Sequence, residues 1–261
     1  MHKKIKYGLA ILTFSLFSFS QAYAQEQNLQ QRIANKGTIY VGTEGAYAPY
    51  TFHDKSGKLT GYDVEVTRAI GKELGVKVEF KETQWDAMFA GLNSERFDMI
   101  ANQIVLSTPE RRAKYSIATP YCYSGAVVAA RQDAHINSWN DIKGLFAAQT
   151  LKSNYTQIAR QHGANLVNVA GLANSLQLVK QKRVDITVND SLAILDYINT
   201  VPHSGLKIVL RSEHKEGSGL VLLKKNTAAL APINKAIQTL QENGTLKRIG
   251  MQFFGQDVSI E

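Results

Sequence analysis

Two residues of this 261-residue chain have types and settings suited to gripping a zwitterion, Arg111 and Asp190. A guanidinium is a planar fork of donors that holds a carboxylate through two parallel hydrogen bonds, a geometry a lysine cannot supply. A carboxylate is the natural partner of an ammonium. Arg111 follows a short apolar run, 97–101, with the length and β-leaning composition of a strand buried on both faces. Polar residues begin abruptly at Asn102 and Gln103. In open α/β sheets ligands sit beyond the carboxyl ends of strands, which makes 102–111 the place to expect a site. Read alone, Arg111 is equally well an ordinary surface arginine in a Pro-Glu-Arg-Arg turn. Asp190 is equally well the N-cap of a helix opening at Ser191.

An internal echo favours the site. Residues 183–190 repeat the design of 96–103, with Arg96/Arg183, Asp98/Asp185 and Asn102/Asn189 identical at one offset of 87 residues. Each copy follows a helix-like segment and ends in polar residues, the pattern of two α/β lobes built alike. One copy is followed by the cation Arg111 and the other ends in the anion Asp190. Facing each other across a cleft, they suit a ligand carrying a carboxylate and an ammonium.

Periodicity and turn residues place the elements that must hold these groups. A first strand is expected over 38–42, followed by a loop in which Gly45 and Pro49 stop regular structure, and a hairpin over 52–60. Asp63 is expected to cap a helix that Gly75 ends, with a strand at 76–80 and a helix at 85–94 before the 97–101 strand. Beyond Arg111 an apolar run, 125–130, is long enough to pass between lobes, and the polar, glycine-bearing 213–219 suits the return. Between them lie a strand at 145–149, a helix from Ser153 to His162, a strand at 166–169, helices at 175–182 and 191–198, the echo strand 184–188 and a strand at 206–210. Two helices, 227–242 and 245–254, finish the chain.

The N-terminus reads as an export signal: Lys3, Lys4 and Lys6, an apolar stretch at 8–19 too short to span a bilayer, and the small-x-small site Ala22-Tyr23-Ala24. Cutting after Ala24 leaves about 237 residues, enough for two modest domains. No cysteine follows the cut, so no lipid attachment is expected. The mature chain has 27 basic against 22 acidic residues, a balance of +5, scattered rather than gathered into an aromatic-laced patch. That argues against nucleic acid as a partner. Cys122 is alone and cannot form an internal disulfide, and the six histidines lack ligand spacing, so neither a metal nor another cofactor is expected.

The motifs Gly-Thr-Glu-Gly-Ala-Tyr-Ala-Pro-Tyr (42–50), Gly-Lys-Leu-Thr-Gly-Tyr-Asp-Val-Glu (57–65), Trp85-Asp86, Asn102-Gln103, Pro109-Glu110-Arg111, Asn189-Asp190 and Glu242-Asn243-Gly244-Thr245 occur in one order along nearly the whole mature chain. Together they resemble the periplasmic polar amino-acid-binding proteins of ABC importers, above all the L-cystine-binding branch. The resemblance implies an α/β, two-lobed periplasmic-binding-protein fold of type II, each lobe a mixed sheet flanked by helices, joined by two crossing strands. It implies lobe 1 from 25–126 plus 217–261, lobe 2 from 127–216, and a monomer that delivers an amino acid to a membrane permease.

Carried over by position, the resemblance gives Arg111 the α-carboxylate and Asp190 the α-ammonium, with Tyr47 and Trp85 as aromatic walls. Gln103 adds backbone groups, and Lys152, Ser153 and Asn154 add N–H groups at a helix start, a setting that attracts a carboxylate. Val105 stands where members carry a Ser or Thr, which passes that hydroxyl role to Ser107. Lys152 stands where members usually carry a glycine. Glu44 falls at the far end of the ligand, where an acid suits a second ammonium or a cationic tail and disfavours an acidic one. Cystine, lysine, ornithine and arginine all fit that rule. A rival reading is a periplasmic dehydratase on the same plan, which would need a proton donor over its leaving group; another is a receptor-engaging signalling protein.

Overall fold

The computed structural model describes residues 28–261, so the expected export signal lies outside the described residues. From there the chain runs α1 (Leu29–Ala34), β1 (Thr38–Thr43), β2 (Ala46–Tyr47), β3 (Thr51–His53), β4 (Leu59–Thr60), α2 (Tyr62–Leu74), β5 (Lys77–Glu82), α3 (Trp85–Asn93), β6 (Met99–Ile100), α4 (Pro109–Lys114) and β7 (Tyr115–Ile117). It crosses on β8 (Cys122–Ser124) into β9 (Ala126–Arg131), β10 (Phe146–Gln149), α5 (Asn154–Gln161), β11 (Asn165–Asn168), α6 (Gly171–Lys180), β12 (Ile186–Asp190), α7 (Ser191–Thr200) and β13 (Leu206–Arg211). It returns on β14 (Glu216–Ser218) to β15 (Val221–Leu223), α8 (Leu230–Glu242) and α9 (Thr245–Phe254).

The two lobes share one design. The first sheet has strand order β5-β1-β6-β15-β7 and the second β11-β10-β12-β9-β13. In each, three parallel strands are followed by an antiparallel one laid down by the chain as it arrives from the other lobe. β8 and β14 pair antiparallel, so outgoing and returning crossings form one ribbon.

The 87-residue echo has a physical basis. Asp98 Oδ2 accepts from the Tyr40 N–H of β1 at 2.8 Å, and the Asp98 N–H donates to Tyr40 O at 2.8 Å. Asp185 does the same for β10, accepting from the Phe146 N–H at 2.8 Å and donating to Phe146 O at 2.9 Å. In both lobes an Asp therefore locks the start of the central strand to its neighbour. Such a bond to a charged acceptor contributes about 1.5–3 kcal/mol. Phe97 does the packing: its ring fills the space a Cβ would need at both Gly42 and Gly91, with ring atoms 2.5 Å and 2.7 Å from those positions. Only glycine on β1 and α3 lets β6 lie this close.

Several expectations need correction. Only Met99–Ile100 of the 97–101 run is paired as strand, because the chain turns into the cleft once it clears β1. Crossing is made by β8, while most of 125–130 is β9 inside the second sheet. α6 starts at Gly171, four residues ahead of the expected helix, and the expected helix from Thr227 is a short 3-10 turn followed by α8. Asp63 is not the cap of α2. Gly61 occupies that position without a side-chain bond, and Asp63 turns inward to full burial.

Candidate functional site

The two sheets present the carboxyl ends of their parallel strands to each other. Glu44 follows β1, Asn102 and Gln103 follow β6, Ser153 follows β10, and Asn189 and Asp190 end β12. Between them lies a cavity with an empty volume of about 390 Å3, whose walls include Glu44, Tyr47, Trp85, Asn102, Gln103, Ser153 and Asn154. Six of the expected site residues thus share one cavity. Thr150, Tyr155, Gly171, Leu172 and Asn189 complete its lining.

Asp190 lies beneath this wall, fully buried. Its Oδ1 accepts from the Leu192 N–H at 2.9 Å and the Ala193 N–H at 3.1 Å, so it does cap α7. It also accepts from Tyr50 Oη at 2.9 Å. Its Oδ2 takes the Ser124 hydroxyl, with Gln103 Nε2 and Tyr155 Oη each at 3.2 Å. One oxygen thus serves the helix cap and Tyr50, and the other holds Ser124, Gln103 and Tyr155. Burial pushes its carboxyl above the usual carboxylate range, and these donors pull it partly back.

Arg111 is buried between the lobes rather than in the cavity wall. Its Nη1 donates to Val105 O at 3.1 Å and its Nη2 to Lys152 O of the second lobe at 2.5 Å. The guanidinium lies 4.8 Å from the Phe89 ring centre and 5.8 Å from that of Trp85. Thr108 caps the short α4 by accepting from the Arg111 N–H at 3.2 Å, which fixes the base of the side chain. Further bonds cross between lobes: Tyr47 Oη to Asn189 Oδ1 at 2.6 Å, Trp85 Nε1 to Leu151 O at 3.1 Å, and Lys152 Nζ to Asp86 O at 3.2 Å. The cleft is closed.

Lys152 stands where the resemblance implies a glycine, and its φ of +62° lies in the left-handed region that a Cβ resists. Its side chain swings out to Asp86 instead of filling the cavity. Ser153 caps α5, accepting from the Tyr155 N–H at 3.2 Å. Glu44 is half-buried; burial pushes its carboxyl up, a hydrogen bond from Asn102 lowers it, and the nearby charge of Asp86 raises it again. Ser107 is not brought to the cavity. It lines a separate groove with Ala126, Trp139 and Asn154, and its buried hydroxyl has no hydrogen-bond partner among the described residues.

The sequence reading missed Tyr50, Asp63, Ser124 and Tyr155 as parts of this network. Tyr155 had a usable signal, since it stands in the first turn of the helix assigned to the site. Asp63 had none, because an acid in a first helical turn is normally solvated. Its burial raises its carboxyl from 3.8 to about 7, against the pull of bonds from Tyr121 and Gln103. The folded state thus binds this proton more tightly than the unfolded chain, so its stabilising contribution is present below pH 4 and lost as pH rises through 7. Wild type should lose urea resistance relative to Asp63→Asn between pH 4.5 and 7.5. Parallel unfolding midpoints across that range would refute this.

Two α/β lobes joined by a crossing ribbon and closed over a polar cavity at their strand ends define a type II periplasmic binding protein. Residues 39–256 match the family described as bacterial extracellular solute-binding proteins, family 3, and the chain belongs to it. It is a substrate-binding protein of an amino-acid ABC transporter. Among relatives, a probable amino-acid ABC transporter-binding protein of Haemophilus influenzae is 47% identical, covering 98% of this chain and 99% of its own length. The L-cystine-binding protein TcyA of Bacillus subtilis is 44% identical over 92% of this chain and 90% of its own. The solved L-cystine solute receptor of Neisseria gonorrhoeae, unliganded and open, is 56% identical with a TM-score of 0.62, covering 88% of this chain and 98% of that one. An ancestral arginine-binding protein bound to arginine is 32% identical with a TM-score of 0.79, covering 84% and 99%. The more similar sequence has the lower TM-score: that structure is open, whereas the lobes here are bridged by direct hydrogen bonds.

Proposed function

We propose that the protein binds L-cystine in the periplasm and hands it to an inner-membrane permease, working as a monomer without catalysis. The lobes are taken as 25–126 with 217–261, and 127–216. One observation carries the choice of ligand: two acids serve one cavity, the half-buried Glu44 of the first lobe in its lining and the buried Asp190 of the second beneath it, bonded to the lining residues Gln103 and Tyr155. Each is held at a raised pKa by desolvation, so each gains from a cation brought by the ligand. Cystine carries two ammonium groups, one for each acid. In this reading Arg111 grips an α-carboxylate, Tyr47 and Trp85 wall the pocket, and Lys152, Ser153 and Asn154 offer N–H groups at the start of α5. The hydroxyl first given to Ser107 passes to Ser153 or Thr150, which line the cavity.

An open form binds through the first lobe, and closure adds the contacts of the second, so ligand shifts the hinge equilibrium. A few charge-assisted bonds with aromatic burial reach micromolar affinity, roughly 8 kcal/mol. A thermal-shift panel of cystine, cysteine, arginine, lysine and glutamine tests the ligand: cystine should give the largest rise in Tm, and a larger rise with glutamine would reject it. The distal acid has its own test. Glu44→Gln should weaken cystine about tenfold and glutamine less than twofold by calorimetry, whereas equal losses would reject a distal cation. Incubation with prephenate or arogenate should yield no aromatic product; turnover would revive the dehydratase reading.

A further inference from the structure

Resting on the reading above, we infer that Asp63 is a positioning residue that ties the ligand cleft to the interlobe crossing. One carboxylate oxygen fixes the backbone of Gln103, and the other holds Tyr121 at the root of β8. Asp63 stands in the first turn of α2 and is fully buried. Its Oδ2 accepts from the Gln103 N–H at 2.5 Å, and its Oδ1 accepts from Tyr121 Oη at 2.7 Å. Neither contact belongs to helix capping.

The Gln103 end answers a local problem. Gln103 has φ +48°, a left-handed conformation that a residue with a Cβ holds only when its surroundings over-determine it. A short bond from its N–H to a buried carboxyl oxygen is such a constraint. With the backbone so held, the side chain projects across the cleft. Nε2 reaches Ser124 Oγ and Asp190 Oδ2, each at 3.2 Å, and Oε1 meets Tyr155 Oη at 3.3 Å. Gln103 is therefore a first-lobe residue that touches the crossing strand, the second-lobe acid and the second-lobe helix at once.

The Tyr121 end faces the hinge. The Tyr121 N–H donates to Ser218 O at 3.0 Å, binding outgoing to returning crossing, and its carbonyl accepts from Tyr62 Oη at 2.6 Å. Tyr62 immediately precedes Asp63 on α2, so the first turn of this helix grips Tyr121 at both its carbonyl and its hydroxyl. Rotation of the lobes about β8 and β14 thus takes place against a fixed post, and the same carboxylate sets where Gln103 points. Asp63 makes the state of the hinge and the presentation of Gln103 to Asp190 one variable.

Calorimetry with L-cystine on wild type, Asp63→Ala, Gln103→Ala and the double variant tests this. Asp63→Ala should weaken binding at least tenfold alone and by a factor at least threefold smaller on the Gln103→Ala background, because one of its two contacts acts through Gln103. A change under twofold in the single variant, or the same factor lost on both backgrounds, would overturn the proposal. If Asp63→Ala does not fold, Tyr121→Phe serves: it keeps the Gln103 bond and cuts only the hinge end. It should weaken cystine at least threefold and reduce the ligand-induced fall in radius of gyration measured by small-angle scattering. Unchanged affinity with unchanged compaction would also overturn it. A wild type that gives no heat with cystine defeats the ligand reading alone, and the series is then run with L-arginine.

Discussion

Arg111→Ala should lower cystine affinity at least a hundredfold while the protein still folds. In the proposed site the guanidinium is the only group offering a bidentate grip on an α-carboxylate, and two charge-assisted bonds contribute about 3–6 kcal/mol together. Burial lowers its pKa, but a guanidinium stays charged at any physiological pH. The substitution also removes a direct strap between lobes, since Arg111 Nη2 reaches Lys152 O. It would strand the carbonyls of Val105 and Lys152 without this donor. The cost to the fold should be small, because neither carbonyl belongs to a sheet. Calorimetry measures the affinity and circular dichroism the melting; an affinity within threefold of wild type would remove Arg111 from the site.

Asp190→Asn should be nearly as damaging to binding and yet harmless or favourable to stability. An amide keeps one acceptor for the Leu192 and Ala193 N–H groups, so α7 retains its cap. The hydroxyls of Ser124 and Tyr155 can turn to accept from the new NH2, and the Gln103 amide can flip. What disappears is the charge, whose burial disfavours the fold and whose attraction for an ammonium is the proposed purpose of the residue. The expected pair of results is at least a hundredfold loss of cystine affinity with Tm unchanged or raised, the trade expected where function holds a charge in a poor solvent. A matched loss of Tm and affinity would mean that Asp190 is a structural acid only.

Much of this architecture could be read in advance because it rests on short-range rules. Glycine at 75 stops α2 in the left-handed region, with φ +71°. Ser153 caps α5, and the 87-residue echo reports two strands that are locked by the same aspartate bond. The misses have a common cause. Asp63 has the sequence neighbourhood of a solvated helix-start acid, and nothing local says that Tyr121 and Gln103, 58 and 40 residues away, will bury it. The expectation for Ser107 rests on counting along a loop, and a loop's register on its lobe is decided by where Thr108 caps α4. Tyr50 and Ser124 carry no chemistry of their own until the second lobe's acid arrives between them.

The order of residues alone pointed to an export signal, to two α/β units of one design, and to the pair of opposite charges at 111 and 190. Periodicity, caps and spacing act over a few residues, so they survive in one dimension. Which oxygen of Asp190 bonds to Gln103 and Tyr155 of the cavity wall, that Arg111 bridges the lobes, and that Asp63 holds both Gln103 and Tyr121 were decided only in three dimensions. Those facts depend on burial and on partners far apart in the chain, and desolvation is a property of the surroundings that a folded interior creates.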